Sequence, residues 1–134
     1  MTIQIQGTAS TTKASGDSAE QLALDYLQRQ GLRLLRRNFR TPGRGGGEID
    51  LIMRERDGTL VFVEVRQRSS ASHGGAGASI VPAKQRRIVF AARHYLAHLP
   101  SPPPCRFDAV LVQGRLDGPA PPAIDWLRGA FDAG

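Results

Sequence analysis

The stretch Glu48-Ile49-Asp50-Leu51-Ile52-Met53-Arg54-Glu55-Arg56-Asp57-Gly58-Thr59-Leu60-Val61-Phe62-Val63-Glu64-Val65-Arg66-Gln67-Arg68 decides the fold. Two runs of alternating and β-branched residues flank a short polar segment ending in glycine, the pattern of a β-hairpin. In the first run Ile49, Leu51 and Met53 share a face, opposite Glu48, Asp50 and Ile52. In the second, Leu60, Phe62, Glu64, Arg66 and Arg68 share a face, opposite Val61, Val63 and Val65. The apolar run Leu60–Val65, broken by one glutamate, predicts a strand buried on both sides.

The turn controls whether the two acids meet. A two-residue Asp57-Gly58 turn sets Asp50 opposite Val65 and sends Asp50 and Glu64 to opposite faces. A three-residue Arg56-Asp57-Gly58 turn, with Gly58 left-handed, sets Asp50 opposite Glu64. Both fit the sequence. Only the second lets the carboxylates converge, and it is the one expected if they act together. Two facing carboxylates repel unless a proton or a divalent cation joins them. An oxygen-only donor set suits Mg²⁺ or Mn²⁺ rather than zinc, and such an ion can activate water and steady charge on a phosphoryl group. The plainer alternative is two solvent-facing acids paired with arginines.

Working outward, a helix is expected from about Asp17 to Gln30, capped at Gly31. Residues 1–15, rich in Thr, Ser and Ala, read as a disordered tail before a single domain over 16–134. Glu20 falls inside the apolar arc of that helix, between Leu24 and Leu27, where a carboxylate requires a partner; bending out to water from the first turn is the alternative. Leu32–Arg40 reads as a strand, Thr41–Gly47 as a loop, Ser69–Ser79 as a second, longer loop. Pro82 opens a helix to about Leu99, Cys105–Gln113 forms a strand, and Ile124–Phe131 a short strand or helical turn. The implied architecture is α/β, a mixed sheet flanked by helices.

The 134 residues carry 18 Lys plus Arg against 12 Asp plus Glu, a net charge of +6. The lysines are Lys13 and Lys84 alone, so the excess is arginine, whose planar fork suits phosphate. With a pI near 10.7 the chain favours a polyanionic partner. Arg33, Arg36, Arg37, Arg40 and Arg44 could make sequence-independent phosphate contacts. Lys84 and Gln85 sit at a helix start within reach of the acids, and Arg86 and Arg87 beside them could touch a nucleic-acid backbone. A solvated basic first turn is the alternative for the last two. One cysteine, Cys105, excludes an internal disulfide. No signal peptide or membrane-length apolar run is legible, so a cytoplasmic location is expected.

His94 and His98, four apart, lack an evident third ligand and read as helix surface. His73 reads as incidental, Cys105 as a small core residue, Asp108 as a partner for Arg106 or a loop backbone, and Trp126 as packing. Gly43–Gly47 lacks the lysine and hydroxyl of a nucleotide-binding loop.

Gly16-Asp17-Ser18-Ala19-Glu20, Asn38-Phe39-Arg40, Gly47-Glu48-Ile49-Asp50-Leu51-Ile52, Val61–Arg68, Lys84-Gln85, Cys105-Arg106-Phe107-Asp108 and Trp126–Phe131 together resemble the YraN family. The likeness spans about residues 16–131. That bacterial family is similar to archaeal Holliday-junction resolvases within the PD-(D/E)xK nucleases. The resemblance implies a restriction-endonuclease-like fold and metal-dependent DNA cleavage, at branched or single-stranded structures. By the same resemblance Asp50 and Glu64 are metal ligands, with Glu20 supporting the metal or its waters. By analogy with the dimeric resolvases it also implies a homodimer, whereas a helicase or recombination partner is the expectation of the interaction-subunit reading. Arg66 stands where the superfamily pattern has lysine. Arginine stays protonated, so Arg66 can orient or stabilise but not act as a base, and Lys84 is a candidate for the missing ammonium. Two other readings are a non-catalytic nucleic-acid-binding module and an interaction subunit of a repair complex.

Overall fold

The computed structural model describes residues 12–68 and 80–133, with side chains described from residue 18. The expected 1–15 tail falls largely outside these residues, as do the Ser69–Ser79 loop and His73. Seven elements follow one another: α1 (Thr12–Arg29), β1 (Arg33–Arg40), β2 (Glu48–Arg54), β3 (Leu60–Arg68), α2 (Pro82–Leu96), β4 (Cys105–Gln113) and β5 (Ala123–Phe131). The strands form one sheet in chain order, antiparallel except for the β3–β4 pair. Only that parallel pair needs a crossover, and α2 supplies it. The result is a single α/β domain, a five-stranded mixed sheet with a helix on either face.

Leu60, Val61, Phe62 and Val63 are all fully buried, as a strand covered on both sides requires. On one face Leu51, Met53, Val61, Val63, Val110 and Val112 pack under Ala19, Ala23, Leu24 and Leu27 of α1. On the other, Ile52, Leu60, Phe62, Phe107 and Ala109 pack under Ile88, Ala91 and Ala92 of α2. Phe62 stacks on Phe107 with centroids 5.5 Å apart and meets Tyr95 edge-on at 6.2 Å.

Strict alternation misassigns Ile49: it joins the α2-side cluster, not that of Leu51 and Met53. Its neighbour across the ribbon is Phe39, which packs on Tyr95. β1 is irregular there, with Asn38 at φ 50° and a register shift between Leu34 and Arg36, so the start of β2 follows a twisted partner. Of the two forms expected for the last segment, the strand is found, at the sheet edge. Two expectations move further. α1 begins at Thr12 rather than near Asp17. Cys105 is exposed, because it opens β4 at the sheet margin before the core begins, and is not a core residue.

A Schellman-type exit closes α1: the Leu32 N–H donates to the Leu27 carbonyl at 3.1 Å. No helix among the described residues is long and apolar enough to cross a membrane.

Candidate functional site: an acidic pair on the central ribbon

Leu51 faces Val63, Ile52 faces Phe62, Met53 faces Val61 and Arg54 faces Leu60. The Glu55 N–H donates to the Thr59 carbonyl at 2.9 Å, closing a three-residue Arg56-Asp57-Gly58 turn with Gly58 at φ 96°. A side chain at that angle would be strained, which is why glycine holds this turn position. Continued by one pair, the same register sets Asp50 across from Glu64 on the α2 face.

The two carboxyl groups share a hydrogen bond, and Asp50 Oδ2 also accepts the Val65 N–H at 2.8 Å. Glu64 is 11% exposed, and its Oε2 lies 3.8 Å from Lys84 Nζ, which is delivered by the first turn of α2. Burial raises the Asp50 carboxyl above its ordinary range, against the lowering effect of the Val65 N–H. Glu64 goes further, to about 8, driven by burial and then by the Asp50 charge. Lys84 and Arg66 pull it down without overcoming those effects. Near neutrality the pair therefore holds a proton, with Glu64 donating to Asp50.

The predicted residues divide around this pair. Asp50, Glu64 and Lys84 meet. Arg66, two residues on along β3, is close enough to bias the Glu64 charge. Glu20 is half-buried on α1, with Oε1 shielded from solvent, but α1 covers the opposite face of the sheet. Among the described residues no group of three or more His, Cys, Asp or Glu is disposed to hold a metal ion.

The basic residues are dispersed likewise. Arg40 and Arg87 both reach Glu48, at 3.8 and 3.5 Å. Arg37 turns to α1 and donates to Gln21 Oε1, whereas Arg36 lies 5.3 Å over the Phe39 ring. Arg44 is exposed at the tip of the loop after β1. Gln85 does not project to the acids; its amide donates to the Ile80 carbonyl at 2.7 Å. Arg86 lines a separate groove with Phe90, Arg93 and Asp132. A depression of about 460 Å³ around Gly31, Arg33, Arg54 and Asp57 lies at the far end of the hairpin from the acids.

Asp108 is fully buried and accepts from Arg106 Nε at 3.0 Å, Trp126 Nε1 at 2.9 Å and the Gly129 N–H at 2.9 Å. Such a saturated carboxylate joins strands and leaves no lone pair for chemistry. Trp126 packs edge-on against Tyr26. His98 Nδ1 meets the His94 carbonyl on the helix surface. Glu48 gathers two arginines beside the acids, a role the sequence reading misses; its place on the Asp50 face of β2 is the signal that could have found it.

Fold and site together define a small mixed-sheet α/β protein with a proton-sharing carboxylate pair on its central ribbon and a lysine brought over it by the crossover helix. The chain belongs to the uncharacterised protein family UPF0102, whose model matches residues 19–112. It is 69% identical over 124 residues to a UPF0102 protein of Paracidovorax citrulli, covering 92% of this chain and 87% of that one. A relative from Albidiferax ferrireducens is 62% identical over 130 residues, covering 97% and 96%. One from Cupriavidus pinatubonensis is 56% identical over 123 residues, covering 92% and 89%.

Proposed function

We propose that the chain is a Mg²⁺- or Mn²⁺-dependent nuclease of restriction-endonuclease-like fold that hydrolyses phosphodiester bonds in DNA. The convergence of Asp50 and Glu64 beside Lys84 carries this reading. Two half-buried carboxyl groups that share a proton are a ready site for a divalent cation, which offsets both charges at once. Mg²⁺ commonly takes one or two carboxylates and fills its other positions with water and substrate phosphate, so the pair fits it without a third protein acid. Bound there, the ion would supply Lewis-acid chemistry, acidifying water and offsetting charge on the phosphoryl group.

The protein's own groups have separable tasks. Asp50 is held by the Val65 N–H, so its second oxygen keeps a set direction. Lys84 brings an ammonium to the acids from α2, where the superfamily pattern carries lysine on the strand. Arg66 keeps a permanent positive charge on the same face and can stabilise an anionic phosphate but not remove a proton.

The test is a panel of single-stranded, duplex, flapped and four-way DNA incubated with Mn²⁺. The expected outcome is cleavage of at least one substrate, reduced about 100-fold or more by Asp50→Asn or Glu64→Gln, near 3 kcal/mol of barrier. Cleavage that persists in both variants defeats the assignment.

A second reading, a non-catalytic nucleic-acid-binding module, is favoured by the position of Glu20 on the far face. DNA binding with no Mn²⁺ uptake by calorimetry would select it. Loss of DNA binding even at low salt would instead favour an interaction subunit recruiting a helicase or recombination partner. Sedimentation of the purified chain tests the homodimer implied by the resolvase resemblance.

A further inference from the structure

The glycine-rich segment between β1 and β2 has an organised base and a bare rim. Thr41 is buried, its N–H donates to the Gly47 carbonyl at 3.0 Å, and its hydroxyl accepts the Gly47 N–H at 2.7 Å. Gly47 lies so close to α2 that a methyl group there would run into the Arg87 carbonyl oxygen. The two ends of the loop are thus pinned to each other, and through Gly47 to α2.

Above that base, Arg44 and Gly45 form a tight turn that directs the Gly46 N–H to the Gly43 carbonyl, and the N–H groups of Gly43, Arg44 and Gly45 have no protein acceptor among the described residues. Gly43 and Gly45 have φ of 88° and 66°, alternating with residues of ordinary φ. That alternation curls successive N–H groups toward one side, the backbone arrangement of anion-binding nests. The loop bounds an open cavity of about 330 Å³, whose other walls are Arg40, Glu48 and Arg87. Glu48 touches both guanidinium groups and keeps them at the same mouth. Its one negative charge leaves the mouth net positive, before Arg44 is counted.

We propose that the Thr41–Gly47 loop, with Arg40 and Arg87, is a cradle for one phosphate group of a nucleic-acid strand. Peptide N–H groups and two arginines are donors only, as a phosphodiester requires, and none of them reads a base. Glu48 and Asp50 are two residues apart on β2, a separation of about 7 Å, on the order of one nucleotide step along a strand. The cradle therefore holds the phosphate next to the one facing the acidic pair. This placement rests on the nuclease reading; anion binding by the loop does not.

The test uses the full chain labelled with ¹⁵N, in EDTA, titrated first with inorganic phosphate and then with a short oligothymidylate. The largest amide shifts are expected at Gly43, Arg44 and Gly45 with both ligands. Arg40→Gln combined with Arg87→Gln should weaken oligonucleotide binding about 10-fold at low salt. It should also flatten the log K against log salt slope by about 0.7, the share of a single phosphate on a single strand. Shifts centred on Arg33, Arg54 and Arg56, or no loop shifts at all, overturn the cradle. Loop shifts with phosphate but not with the oligonucleotide overturn it too, pointing to a free-phosphate site. Asp50→Asn should keep the loop shifts. If wild type shows them yet cleaves nothing with Mn²⁺, the cradle stands and the nuclease reading falls; Mn²⁺-dependent cleavage without them gives the reverse.

Discussion

Glu64 retains its proton to about pH 8 in the folded chain, whereas an unfolded chain releases it near 4.5. Its folded pKa is the higher one. The associated stability is therefore complete below about pH 4.5, declines as pH rises, and is exhausted above about 8. Asp50, raised in the same direction and sharing the proton, adds to the same trend. In EDTA, Glu64→Gln should melt at nearly the wild-type temperature at pH 4.5 and clearly above it at pH 8.5. Melting profiles that run parallel across that window contradict the assignment. Occupation of the pair by Mn²⁺ should expel about one proton per ion at pH 7, because the ligand must be ionised. Calorimetry in two buffers of different ionisation enthalpy reads that number directly.

At the scale of elements, α2 carries both the core face and the cation. Its first turn delivers Lys84 while its middle rests on Gly47. Lys84→Met should leave Mn²⁺ uptake intact and slow cleavage about 100-fold, the size associated with losing one charge-stabilising donor. Gly47→Ala should destabilise the fold by about 1–3 kcal/mol in urea titrations, because backbone meets backbone and neither can yield cheaply. If Gly47→Ala unfolds at the wild-type urea midpoint, the close seating of α2 is wrong.

The ribbon is legible in the sequence for a local reason. The alternating apolar runs around Gly58 give away the hairpin, but Gly58 serves either turn, so the register that decides which side chains face one another comes from the fold. Ile49 is not legible, since its direction depends on the irregular partner strand. Cys105 is misread because strand membership says nothing about where a sheet ends. The terminal strand is ambiguous since Asp125, Arg128 and Gly129 interrupt its apolar pattern, and what stabilises it is tertiary: pairing with β4 and packing of Trp126 on Tyr26. Glu20 illustrates a further limit. Helical periodicity places it toward the interior, but which face of the sheet lies beneath is a tertiary fact.

Across the whole molecule, the arginine excess does not form one patch. Arg37 serves α1, Arg106 serves Asp108 and Glu55, and Arg40 and Arg87 stand beside the acids. Net charge alone therefore overstates the phosphate contacts open to a nucleic acid. The edge strand β1 combines four arginines, a shifted register and the left-handed Asn38, features that discourage another strand from pairing with it.

Asp108 lies within the family-matched span, yet two of its three donors, Trp126 and Gly129, come from beyond residue 112. A fragment trimmed to that span would leave the buried Asp108 side chain with Arg106 alone of its three donors and bare one flank of β4. Such a fragment should lose cooperative unfolding, and Asp108→Ala in the intact chain should forfeit about 3 kcal/mol. The span matched by the family model is thus shorter than the folding unit, and any minimal version of this protein has to keep its outermost strand.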